Sequence, residues 1–128
     1  MKRLLVITAM LLAFTQPAHA YFTTEHTLKM LTEGGAKAIV VKKYLGGIAE
    51  AYWVTSAFGS DVGKSLICFP ESQSFQTEEL LLLAELSLKK HLNSYSASLE
   101  DQQLKAEALR SPVAMVLNLV WSHELPCN

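Results

Sequence analysis

The stretch AKAIVVKKYLGGIAEAYWVTSAF, residues 36–58, decides the fold. Within it Ala38, Val41, Leu45, Ile48 and Tyr52 succeed one another at steps of 3, 4, 3 and 4. Residues so spaced share one face of a helix. A half-buried strand would instead alternate at every second residue, and no segment of the chain sustains that pattern. Gly46-Gly47 interrupts the face, at a cost of about 1 kcal/mol per glycine relative to alanine. The pair reads equally as a local kink and as a close approach of a neighbouring helix.

Working outward, Gly59 reads as the end of this helix, and Ser60 to Ser65 as a polar turn. The turn lies in GSDVGKS, residues 59–65, which nearly spells a phosphate-binding loop. Three residues separate Gly59 from Gly63 where that loop has four, and the segment before it has the spacing of a helix rather than a buried strand. Nucleotide binding is not expected. Upstream, Thr24 reads as the N-cap of a helix that reaches Glu33 and ends at Gly34-Gly35.

Downstream, Cys68-Phe69-Pro70 opens an irregular link. Thr77 then caps a third helix, with Glu78 and Glu79 in its first turn, where the helix dipole favours anions. Leu80, Leu81, Leu83, Ala84, Leu88 and Leu92 form its apolar side. Glu78, Glu79, Glu85, Lys89, Lys90 and Asn93 form the other, with Leu82 and Leu86 among them. Two leucines four apart and ringed by charge read equally as a surface that another molecule covers and as part of a helix covered on all sides by its own chain. Asn93 to Ser98 is a polar loop with one tyrosine, Tyr95. Ser98 and Asp101 resemble a capping box for a short helix from Leu99 to Leu109. Ser111 and Pro112 read as N-cap and first residue of a last helix to Glu124. With only Asn118 and Ser122 as a narrow polar strip, that helix should be the central and most buried one. The fold class is therefore all-α, a small bundle of four to five helices.

Residues 1–20, MKRLLVITAMLLAFTQPAHA, have the three parts of a secretory leader. Lys2 and Arg3 precede the apolar run Leu4 to Phe14, and Ala18-His19-Ala20 is a small-x-small cleavage signature. The run has 11 residues, against roughly 20 needed to span a bilayer. Cleavage after Ala20 leaves one domain of 108 residues, 21–128. Without Lys2 and Arg3 the 11 basic residues become 9, against 12 acidic, a net charge near −3. No basic stripe is present, which argues against nucleic acid, and no other segment suits a membrane partner.

Two cysteines, Cys68 and Cys127, remain for an oxidising compartment, and a disulfide between them is the leading reading. It would close a loop of about 60 residues, for which the chain-entropy model gives roughly 4 kcal/mol. A metal site is not expected: His123 and Cys127, four residues apart, could form a metal pair, but His26 and His91, which would have to complete it, lack ligand spacing. No cofactor is implied. Nor is catalysis: bridged cysteines leave no thiol, no GxSxG stretch exists, and the serines fall mainly in turns and caps. His91 reads as a boundary histidine, and His123 as a cation in the last turn of its helix.

The order of features resembles the Tai/Rap family of immunity proteins, which protect bacteria against type VI secretion peptidoglycan amidases. Tyr44-Leu45-Gly46-Gly47 matches the family's aromatic-aliphatic-x-Gly element, with Ile48-Ala49-Glu50-Ala51 following. Cys68-Phe69-Pro70 matches Cys-x-Pro before a helix that here begins Thr77-Glu78-Glu79-Leu80. Val113 to Trp121 and Leu125-Pro126-Cys127 match the closing apolar helix and its Phe-Pro-Cys. The similarity covers about residues 28–127. Two departures are an extra cysteine pair of many members, absent here near Thr32 and Lys42, and Leu125 in place of Phe. The resemblance implies a periplasmic, homodimeric helical inhibitor of a papain-like amidase, which it blocks with a protruding loop. On that analogy Tyr95, Ser96 and Ser98 form the plug with Glu100 at its base, and Leu82 and Leu86 make a dimer or partner contact. Two other readings are a small disulfide-bonded periplasmic acid-stress chaperone and a hydrolase that needs a free thiol or a metal.

Overall fold

Thr23, extended at φ −68° and ψ 158°, accepts the His26 N–H on its Oγ1 at 3.2 Å and starts the first helix. The computed structural model describes residues 22–62, 67–70 and 73–127. Among these, five helices carry the fold: α1 Thr24–Glu33, α2 Gly35–Val62, α3 Thr77–Asn93, α4 Leu99–Arg110 and α5 Val113–Glu124. The all-α reading holds, and so does the bridge between Cys68 and Cys127, whose Cα atoms lie 4.9 Å apart. The secretory leader falls outside the described residues. Among those described, no helix is long and apolar enough to cross a membrane.

Four boundaries differ from expectation, each for a local reason. The N-cap of α1 is Thr23, because Thr24 is buried and its N–H and hydroxyl both donate to the Ser111 carbonyl. The N-cap of α3 is Gln76, because the Glu79 carboxylate accepts the Gln76 N–H at 2.9 Å and closes the first turn one residue early. Ser111 ends α4 rather than starting α5, since its hydroxyl donates to the Glu107 carbonyl at 2.8 Å. Gly59 does not end α2, which continues to Val62. The rest of the expected turn, residues 63–65, lies outside the described residues. Gly34, at φ 74°, separates α1 from α2 in a conformation that favours glycine.

The core is built around Trp121, which is fully buried in α5. Tyr52 of α2 and Phe69 of the link meet it edge to face, with centroids at 5.9 and 5.2 Å, a favoured aromatic geometry. Leu45 and Ala49 of α2, Ile67 of the link, Leu80, Ala84 and Leu88 of α3, and Val113, Val116, Leu117 and Val120 of α5 complete the cluster. Helix α5 is stitched at both ends. At its start the Val113 N–H donates to the Phe22 carbonyl at 2.9 Å, beside the bonds from Thr24 to Ser111. At its end the Cys68 N–H donates to the Leu125 carbonyl at 2.8 Å, next to the disulfide.

Helix α5 buries Val113, Val116, Leu117, Val120 and Trp121, but its solvent face is wider than the expected strip of Asn118 and Ser122: Met115 and Leu119 are 65% and 51% exposed. Helix α4 could have covered them, but it packs mainly against α1 and buries none of its own residues.

Candidate binding surface

The loop between α3 and α4 is exposed, yet its own bonds hold it. Helix α3 stops because the Ser94 N–H and hydroxyl both turn back to the His91 carbonyl, at 3.1 and 2.7 Å. Tyr95 Oη then lies 3.0 Å from His91 Nε2. The Ser96 N–H donates to Asp101 Oδ2 at 2.7 Å, and the Ser98 N–H donates to Ser96 Oγ at 3.2 Å. Ser98 is the N-cap of α4 and accepts the Asp101 N–H at 3.2 Å. The amide of Gln102 donates to the Ser96 carbonyl. In an ideal capping box the third residue reaches back to the cap; here Asp101 passes over Ser98 and takes Ser96 instead. The bond from Ser96 holds the Asp101 carboxyl below the usual carboxylate range.

Of the three residues that the analogy makes a plug and Glu100 at its base, Ser96, Ser98 and Glu100 are exposed, with Glu100 in the first turn of α4. Tyr95 is different. It is half-buried and turned back onto α3, so it anchors the loop as much as it presents a surface. Leu82 and Leu86 stand out from α3, 56% and 54% exposed. They border a groove of about 590 Å³ whose far wall is Gln73, Ser74 and Phe75.

Behind the loop lies a polar chain that the sequence did not announce. Trp121 Nε1–H donates to Ser87 Oγ at 3.1 Å, and the Ser87 hydroxyl donates to Glu124 Oε2 at 3.0 Å. Lys90 Nζ meets Glu124 Oε1 at 2.9 Å. The Lys90 and Ser87 bonds keep the Glu124 carboxyl below its ordinary value, with burial opposing them. His91 lines a second groove of about 280 Å³ with His123, Glu124 and Leu119. Burial lowers the His91 pKa, the Glu124 carboxylate pulls the other way, and His123 adds to the lowering. The signal for this cluster was a serine at position 87 on the apolar side of α3, one turn before His91.

Both cysteines are consumed by the bridge. Among the described residues no three His, Cys, Asp or Glu side chains gather as metal ligands. The arrangement offers shape, hydrogen-bonding groups and apolar patches. Comparison with known protein families, curated proteins and solved structures finds no match. The functional assignment therefore rests on this chain's own residues.

Proposed function

We propose that this chain is a periplasmic immunity protein that binds a cognate type VI secretion peptidoglycan amidase and occludes its active site. In this reading it carries out no chemistry itself. The observation that supports it best is the bonding inside residues 94–102, which orders an exposed loop before any partner arrives. Ordering a side chain on binding costs about 0.5–1.5 kcal/mol each, so a loop already fixed keeps that energy for contact. Ser96 and Ser98 offer hydroxyls to a polar cleft, and Glu100 adds a carboxylate at the edge. The disulfide and the stitched ends of α5 give the loop a rigid base.

The test is binding to a papain-like amidase encoded beside this gene, measured by calorimetry with the disulfide intact. A Tyr95→Ala, Ser96→Ala double variant should lose at least tenfold in affinity while keeping its helical content. Full affinity in that variant would remove the loop from the interface.

A further inference from the structure

We infer that the groove between the C-terminal end of α3 and the outer side of α5 binds a small aliphatic carboxylate, with its charge at His123 and Lys90 and its chain along Leu119. The inference goes beyond the inhibitor reading and does not depend on it.

Met115, Leu119 and His123 follow one another at steps of four on α5 and so share one strip of that helix. The strip passes from aliphatic to imidazole over eight residues, about 12 Å of helix. Its aliphatic part is bare, with Met115 and Leu119 65% and 51% exposed. The groove of about 280 Å³ lies at the imidazole end, lined by Leu119, the buried Val120 and His123 and, from α3, by Lys90 and His91. One turn of a helix, about 10 Å across and about 5.4 Å long, would overfill that volume. A single methylene chain does not. An unbranched acid also has the order of the strip, an apolar chain ending in charge.

The imidazole end has donors to give. Among the described residues the His123 ring has no hydrogen-bond or ion-pair partner. Lys90 Nζ gives one N–H to Glu124 Oε1 at 2.9 Å, keeps two more, and stays 77% exposed. Glu124 has both oxygens engaged, the second by the Ser87 hydroxyl at 3.0 Å, so it makes no competing pair with His123. A carboxylate between Lys90 and His123 would accept a charge-assisted bond from each.

Charge then sets when the site works. The groups that face it are Lys90 and His91 from α3, His123 and Glu124 from α5, and Tyr95, which bonds to His91, from the loop. Lys90 cancels the charge of Glu124, so the groove becomes net positive only as its imidazoles take up protons. Histidines ordinarily do so between about pH 8 and about pH 5, while a carboxylic acid stays ionised down to about pH 4.3. Burial holds the His91 pKa below its ordinary value, Glu124 opposes it, and His123 adds to the lowering. A bound carboxylate relieves that repulsion between the two rings, so binding is tightest in the mildly acid range.

Titrations of the purified, disulfide-bonded protein with hexanoate, hexanol and octanoate, followed by NMR, test this. At about pH 5.5 hexanoate should bind about tenfold more tightly than hexanol, the contribution of one charge-assisted hydrogen bond. It should also bind about tenfold more tightly than at about pH 8, and shift the His123 ring and Leu119 methyl signals. Octanoate should gain up to about fourfold per added methylene and shift the Met115 methyl as well. His123→Gln should lose about tenfold at the lower pH. His123→Lys carries its charge at either pH and should bind hexanoate at about pH 8 better than the parent does; a damaged fold could not improve binding. Hexanol bound as tightly as hexanoate, an affinity indifferent to pH, or a His123→Gln protein that binds like the parent would overturn the proposal. So would a parent protein in which hexanoate shifts neither signal.

Discussion

Tyr95 Oη stands 3.0 Å from Nε2 of His91, one helical turn back, and the two rings meet edge to face at 5.2 Å. This pair joins the exposed loop to α3. Tyr95→Phe keeps the ring and removes only the hydroxyl. The lost bond should lower stability by about 0.5–1.5 kcal/mol, read as a shift of the urea midpoint at unchanged slope. Under the proposed function, amidase binding should weaken further than that shift implies, because the loop would then have to be ordered on contact.

The same histidine makes stability depend on pH in a definite window. Burial favours neutral His91 in the fold, against the pull of Glu124. Glu124 and His123 approach from α5, with Lys90 and Tyr95 beside it on its own side. The folded pKa lies below the unfolded value of about 6.5, so the contribution is complete above that pH and is lost as pH falls through the window below it. Glu124, lowered by Lys90 and Ser87, acts in a more acid range. Its contribution is complete above the unfolded value of about 4.3 and disappears as pH falls past the folded one. Thermal melts across pH should therefore show two declines. His91→Gln should flatten the upper and Glu124→Gln the lower, and a single decline untouched by either change would refute this assignment.

Much of the bundle could be read before any coordinates because single residues carried the signals. The 3-4-3-4 spacing from Ala38 to Tyr52 gave α2, and Leu80, Ala84, Leu88 and Leu92 are buried as their spacing required. Charges flank Leu82 and Leu86 on the same side, but only the packing decides that no element of the chain covers them. Boundaries were less so. Thr23 and Thr24 are both good caps, and only the distant Ser111 carbonyl decides between them. The exposed Met115 and Leu119 were missed because a helical pattern reports which residues are apolar, not whether a neighbour is long enough or placed to cover them. The turning-back of Tyr95 depended on His91 at a one-turn distance across a helix end, where the chain leaves the helical lattice and spacing stops being a guide.

Ser87 is the hinge between the hydrophobic core and the charged end of the bundle. It accepts the buried Trp121 N–H and passes a hydrogen bond to Glu124. Ser87→Ala leaves that indole donor without its partner in a site closed to water. The expected cost is about 1–3 kcal/mol, accompanied by a change in the Trp121 emission spectrum on a fold that otherwise keeps its helical content. Ser87→Thr retains the hydroxyl and should recover most of the loss.

Removing the bridge should be costly for a chain of this size. Cys68 and Cys127 are 59 positions apart, and cross-linking a loop of that length restricts the unfolded chain by roughly 2–4 kcal/mol in practice. A Cys68→Ser, Cys127→Ser protein should unfold at a correspondingly lower denaturant concentration. Hydrogen exchange should be fastest at the C-terminal end of α5, where the Cys68–Leu125 backbone bond loses its support. Its N-terminal end stays fixed through Phe22 and Thr24.

The two central glycines of α2 separate cleanly by what surrounds them. A Cβ on Gly47 would meet nothing within 4 Å, whereas one on Gly46 would touch Thr77 Cγ2 at 3.6 Å, an ordinary contact. Helix α2 runs through both without a break, and of the two only Gly46 lies against the start of α3. Gly47→Ala should stabilise the protein by about 0.5–1 kcal/mol, through helix propensity alone. Gly46→Ala should also be accepted. Gly46→Leu should not, because a side chain of that size must push the start of α3 outward and part Thr77 from the Glu50 carboxylate to which it donates. Overpacking of this kind costs about 1–3 kcal/mol. Urea midpoints for the three variants, raised for both alanines and lowered for leucine, would establish that α3 docks on α2 through Gly46; a leucine variant as stable as the parent would contradict it.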